Sequence, residues 1–86
     1  MATYSVQFIT KEGAFCGQTI TNRPRAMLLV QDSLWVNTAC VVITIAANSS
    51  LERLKLRATA VSQVFHERKR AVEWLKNQLT DEEQQS

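Results

Sequence analysis

The sequence predicts an α+β domain in which an antiparallel sheet of about four strands, with a β-hairpin first, is followed by one long C-terminal helix packed across it. Two observations support this prediction. Apolar and polar side chains alternate through much of residues 1–47, which is typical of strands with one buried face. Residues 48–80 instead repeat apolar side chains every three or four positions and contain no glycine or proline, which favours an uninterrupted amphipathic helix.

The first two strands are predicted to form a hairpin. Residues 3–10 alternate apolar and polar side chains, and residues 14–21 do the same on the return. Gly13 lies in the short polar segment between them, and glycine readily takes the positive φ of a bulged turn. We therefore expect one face of the first strand to be buried and the other to be mostly in water.

The next segment is ambiguous. Pro24 lacks a backbone donor, so residues 22–25 are predicted to be a connection. Residues 26–31 fit either a strand or a short helix with Pro24 in its first turn, and we favour the strand. Residues 34–46 are rich in Trp, Val, Ile and Thr, and the apolar run at 41–45 predicts a central strand buried on both faces.

The predicted helix begins at a capping box, because Ser49 is followed three residues later by Glu52. A helix over residues 48–80 is about 45 Å long and overhangs strands of about 20 Å. A kink near residues 62–66 is the alternative to a continuous helix. Residues 81–86 form an acidic tail that we expect to be frayed.

The apolar arc of this helix is wider than one contact with a sheet requires, so a second partner is predicted. The simplest is a second copy of the helix in a two-fold homodimer. The alternatives are a kink that folds the second half back, or a sheet broad enough to cover the whole arc. The predicted self-association face consists of Leu54, Val61, Phe65, Val72, Leu75 and Leu79.

Basic residues concentrate on the predicted helix. Residues 48–80 carry seven basic and three acidic side chains, a balance of +4. The predicted contacts to a partner or to phosphate are Arg23, Arg25, Arg57, Arg68, Lys69 and Arg70. Arg57 and Arg68 fall within the apolar arc, where a guanidinium must reach solvent or find a carboxylate, carbonyl or phosphate. The run at 68–70 wraps around a helix instead of forming a stripe, which weakens the case for nucleic-acid binding.

Few side chains in the sequence suit catalysis or metal binding. His66 is the only histidine, and Cys16 and Cys40 lack the close spacing of a metal or redox pair. We expect free, buried thiols in preference to a disulfide, and Trp35 in the core. The sequence therefore predicts no catalytic site, metal or cofactor and no small-molecule substrate, so we do not expect an enzyme.

The length fits one domain over residues 1–86. The beginning of the chain does not resemble a secretory signal and no membrane span is evident, so a cytoplasmic protein is expected. The expected function is non-catalytic protein binding as an inhibitor, adaptor or regulator, through a helix-mediated homodimer. Its size is shared with compact inhibitors of phages and mobile elements, including viral proteins, but no motif links it to them. The alternative is a nucleic-acid-binding protein that uses the basic helix.

Overall fold

The computed structural model describes residues 2–33 and 35–78, which form four strands and three helices. In chain order these are β1 (Thr3–Thr10), β2 (Phe15–Ile20), α1 (Arg23–Asp32), β3 (Thr38–Ala46), α2 (Ser50–Leu56), β4 (Ala60–Phe65) and α3 (Arg68–Asn77). The predicted α+β class and four-stranded antiparallel sheet are confirmed. The prediction of one long helix is wrong.

The strands form one antiparallel sheet in the order β2-β1-β3-β4. The strands β1 and β2 form the predicted hairpin, and Gly13 has a φ of 90° in the turn between them, which glycine adopts at no steric cost. The backbone N–H of Thr10 donates to the carbonyl oxygen of Ala14 at 2.9 Å and closes this turn. Because β1 and β3 are central, β2 and β4 are the edge strands.

The segment at 26–31, for which a strand was favoured, belongs to α1. Asn22 Oδ1 accepts the backbone N–H of Arg25 at 3.1 Å and caps the helix, and Pro24 lies in the first turn, where its missing N–H costs nothing. Ala26 and Val30 are fully buried on one side of α1. Tertiary packing on these two residues decides between the two structures that a short apolar segment allows.

The region predicted as one helix is divided into α2, β4 and α3. Ser49 Oγ accepts the backbone N–H of Glu52 at 3.1 Å, as the capping pattern predicts, and Glu52 Oε1 accepts the backbone N–H of Asn48 at 3.0 Å. The helix then ends at Arg57, which has a left-handed φ of 58°. Residues 60–65 form a strand because they pair with β3 and satisfy its backbone groups.

The core lies between one face of the sheet and a layer formed by α1 and α3. Val6 of β1 and Ile43 of β3 are fully buried there, together with Ala26 of α1 and Leu75 of α3. The two helices also contact each other. None of the helices within the described residues has the length and apolar character needed to cross a membrane.

The guanidinium of Arg23 joins the beginning of α1 to the end of α3. It donates to the carbonyl oxygens of Leu75, Lys76 and Gln78 at 3.2, 2.7 and 2.6 Å. Carbonyl groups at the end of a helix lack partners within the helix and carry its negative dipole end, so a cation is favourable there. This contact holds the helical layer together at one end.

Candidate functional site

The sheet surface opposite α1 and α3, which we name the open face, is uncharged. Side chains alternate between the two faces of every strand, and the strand register aligns the outward ones in rows. The open face consists of Thr3, Ser5, Gln7, Ile9, Phe15, Gly17, Thr19, Cys40, Val42, Thr44, Ala46, Ala60, Ser62 and Val64. None of these residues is charged and none is buried.

One row across the open face consists of hydroxyl side chains. Thr19, Ser5, Thr44 and Ser62 are successive partners across the four strands. The hydroxyl oxygens of Thr44 and Ser62 lie 2.7 Å apart and share a hydrogen bond. This row presents neutral groups that can both donate and accept hydrogen bonds.

The rows nearer the β1–β2 turn are largely apolar. Ile9 is aligned with Phe15, and Val42 is aligned with Val64. Phe15 is 71% exposed and Val64 is 52% exposed. The predicted double-sided burial of the central strand is not observed, since Val42 is only half-buried. Neighbouring apolar side chains left in water are characteristic of surfaces that bind other proteins.

The open face offers no counter-ion to a charged group. Phosphate groups bind to Lys and Arg, and no such residue lies on this face. A carboxylate or ammonium of a partner would lose its hydration here without gaining a counter-ion. An uncharged surface would avoid both costs, because the open face presents apolar side chains, hydroxyl groups, the Cys40 thiol and the amide of Gln7.

Two residues of the predicted basic run have partners within the fold. Arg68 Nη2 donates to the carbonyl oxygen of Ser33 at 2.8 Å, and its guanidinium lies 6.0 Å from the centre of the Trp35 ring. Arg70 Nε lies 3.3 Å from Glu67 Oε2 on the surface. Lys69 is exposed in the first turn of α3. The run therefore contributes partly to the fold and does not form a continuous basic stripe.

The other predicted basic contacts lie in the first turn of α1 and at the end of α2. Arg23 binds the end of α3, Arg57 ends α2, and Arg25 is exposed on α1. The Arg23–Arg25 segment was predicted to be a connection and is instead the first turn of α1. The structure thus does not bring the basic residues together at one site.

The predicted self-association face is not a single helical stripe. Leu54 lies on α2 and is 75% exposed, whereas Val61 and Phe65 lie on β4. Val72 and Leu75 lie on α3, where Leu75 is fully buried in the core. Leu79 and the acidic tail lie outside the described residues. The described residues of the predicted face therefore lie on three elements and do not form one helical stripe.

Two grooves flank the helical layer. The larger, of about 860 Å³, lies between β2 and α1, and its wall includes Ile20, Arg25, Leu28 and Asp32. The smaller, of about 520 Å³, lies between β4 and α3 and is lined in part by Trp74. Both grooves follow an edge strand and are open to solvent.

The single histidine and the two cysteines, for which no chemical role was expected, do not lie together. His66 Nδ1 lies 3.2 Å from the carbonyl oxygen of Ala39, and Cys16 and Cys40 are free thiols. The expectation that both thiols are buried is wrong, because Cys16 is exposed and Cys40 is half-buried. Trp35 packs against the core and donates its Nε1–H to the carbonyl oxygen of Val30 at 3.1 Å. Among residues 2–33 and 35–78, no cluster of three His, Cys, Asp or Glu side chains suits a metal ion.

Comparison of the chain with protein-family models, with curated proteins and with solved structures finds no significant match. The functional assignment therefore depends on the geometry of the surfaces. Sequence reasoning did not single out the open face, although its signal was present. The strand residues assigned to the wetter face carry no charge, which is unusual for side chains in water.

Proposed function

We propose that the protein is a non-catalytic protein-binding module whose open face packs against an uncharged surface of another protein. The observation that supports this proposal is that a complete sheet face has no buried residue and no charged side chain. The interior of a protein interface is depleted of charged residues in the same way. An inhibitor, adaptor or regulator works through such a surface without any chemical step.

The alternative of nucleic-acid binding has weaker support. Nucleic-acid affinity grows with the number of cations that reach phosphates together. Arg23 and Arg68 instead bind backbone carbonyl groups within the fold, and Arg70 is close to Glu67. Lys69 and Arg57 lie on different elements, so they do not form a common basic surface.

The test is a comparison of matched lysine variants in proximity cross-linking from the lysate of the source cells. Val64→Lys places a cation on the open face, and Leu54→Lys places one on α2, at a site that is exposed and outside the open face. We expect wild type and Leu54→Lys to capture the same protein. Val64→Lys should capture about tenfold less of it or lower still, because its ammonium would be buried in the interface without a counter-ion.

Mapping of the cross-links supplies the second readout. The captured protein should be linked next to the open face, at a surface without charged side chains. Equal capture by Val64→Lys and wild type would contradict the proposal. So would capture of nucleic acid in place of protein, or cross-links only between open faces of two copies.

A further inference from the structure

One side of α1 presents an apolar centre between two opposite charges. Arg25, Leu28, Leu29 and Asp32 follow the spacing i, i+3, i+4, i+7, which places them on one side of a helix. We name these four residues the α1 stripe. Leu28 is 55% exposed, Arg25 and Asp32 are exposed, and all four line the groove beside β2.

Both charges of the α1 stripe lie at the end of the helix that disfavours them. Arg25 is in the first turn, near the positive end of the helix dipole, and Asp32 is the last residue, near the negative end. Neither makes an ion pair with another residue that the structure describes. Helix stability alone therefore does not explain this arrangement.

The stripe is complementary to itself when it is reversed. If two copies of α1 lie antiparallel across a two-fold axis, Arg25 of each copy faces Asp32 of the other, and Leu28 meets Leu28 at the centre. We propose that a second copy of this chain binds here, so that α1 packs on α1 and the two β2 edges lie next to each other.

The edge strand beside the stripe is suited to this arrangement. The strand β2 contains no charged residue and no proline, which are the features that protect sheet edges from pairing. Since α1 contacts both β1 and β2, it lies near the boundary between these strands. This boundary is about 5 Å from a two-fold axis that passes beside β2 at the sheet edge. Two such helices are then about 10 Å apart, which is the distance at which helices pack.

The other edge of the sheet does not offer the same complementarity. On α3, Arg70, Glu73, Trp74 and Asn77 occupy the positions that the α1 stripe occupies on α1. An antiparallel pair of α3 helices would place Glu73 opposite Glu73 at the centre, and Arg70 opposite Asn77. Like charges at the axis disfavour that pairing, so the inference is specific for the edge at β2.

A charge exchange tests the proposal in the full chain. We expect wild type to form a dimer whose mass is measured by sedimentation over a micromolar concentration range. Arg25→Asp or Asp32→Arg alone should raise the dissociation constant by about tenfold or more, because each brings like charges together at two symmetric positions. The double variant restores the opposite pairs and should return the constant to about the wild-type value.

Controls separate loss of the interface from loss of folding. Each single reversal places at one end of α1 a charge of the sign that the helix dipole favours there, so the helix should be no less stable. Glu73→Arg on α3 is the matched control, and we expect it to leave the mass unchanged.

Two outcomes would overturn the inference. One is a monomeric wild type at these concentrations, and the other is a dimer in which the double variant is as weak as the single ones. The open face is not part of this interface, so Val64→Lys should still dimerise. Loss of partner capture and loss of dimerisation are therefore independent results.

Discussion

At the scale of single residues, Arg57 decides the path of the second half of the chain. Its φ of 58° is in the left-handed region, which costs a residue with a Cβ about 1–2 kcal/mol. Glycine is the usual residue at such a helix end, and an arginine there leaves little trace in the sequence. The absence of glycine and proline from residues 48–80 therefore predicted a continuous helix where the chain in fact turns.

Replacement of Arg57 by glycine distinguishes the two structures. In the observed turn, Arg57→Gly relieves the left-handed strain and should raise the free energy of unfolding by about 0.5–1 kcal/mol, measured by urea denaturation. In a continuous helix the same change would lower that free energy by about 1 kcal/mol. Arg57→Ala is the control, since it keeps the strain and should give no gain. A decrease for the glycine variant would argue against the turn.

At the scale of elements, the association of α1 with α3 depends on a contact between their ends. Ala26 and Val30 pack beside Ala71 and Leu75 in the core, and Arg23 closes the layer by binding the carbonyl groups at the end of α3. Propensity alone left residues 26–31 between strand and helix. The buried face that α1 shares with α3 provides the energy that selects the helix.

Loss of the Arg23 guanidinium should loosen the helical layer. Arg23→Met keeps an unbranched stem of similar bulk but removes the donors to Leu75, Lys76 and Gln78, so we expect destabilisation of about 2 kcal/mol in urea denaturation. Arg70→Met removes an arginine from an exposed ion pair with Glu67 and should cost less than about 0.5 kcal/mol. Equal effects of the two variants would contradict a structural role for Arg23.

At the scale of the whole molecule, the two faces of the sheet differ in their surroundings. One face is buried under α1 and α3 and stabilises the fold, whereas the open face and the α1 stripe remain available for binding. Because the sheet order is β2-β1-β3-β4, the outer backbone N–H and C=O groups of β2 and β4 are not paired within the sheet. The two proposals above therefore place another protein on the open face and a second copy at the β2 edge.

Hydrogen exchange measures this arrangement directly. We expect the slowest backbone amides in β1 and β3, which have neighbours on both sides, and faster exchange in β2 and β4. Raising the protein concentration should slow exchange in β2 and along α1 while β4 is unchanged, since only the former lie at the proposed dimer edge. Concentration-dependent protection of β4 instead would place self-association at the wrong edge.

The sequence by itself determined the elements whose signals are local. Alternation in residues 3–10 and 14–21, with Gly13 between them, predicted the hairpin and the buried face of β1, and Ser49 with Glu52 predicted a helix start. These features depend on neighbouring residues and on backbone geometry, so the sequence is sufficient to find them. It also predicted the central position of the strand at 41–45.

Only the tertiary structure decided the remaining elements and both candidate surfaces. Residues 60–65 form a strand because β3 has an edge to pair, and residues 26–31 form a helix because their apolar side packs on α3. The open face is a candidate binding surface because α1 and α3 pack on the opposite side of the sheet. The α1 stripe exists only once Arg25 and Asp32 share a helix. Each of these outcomes depends on contacts between distant segments, and period and propensity within a segment do not contain that information.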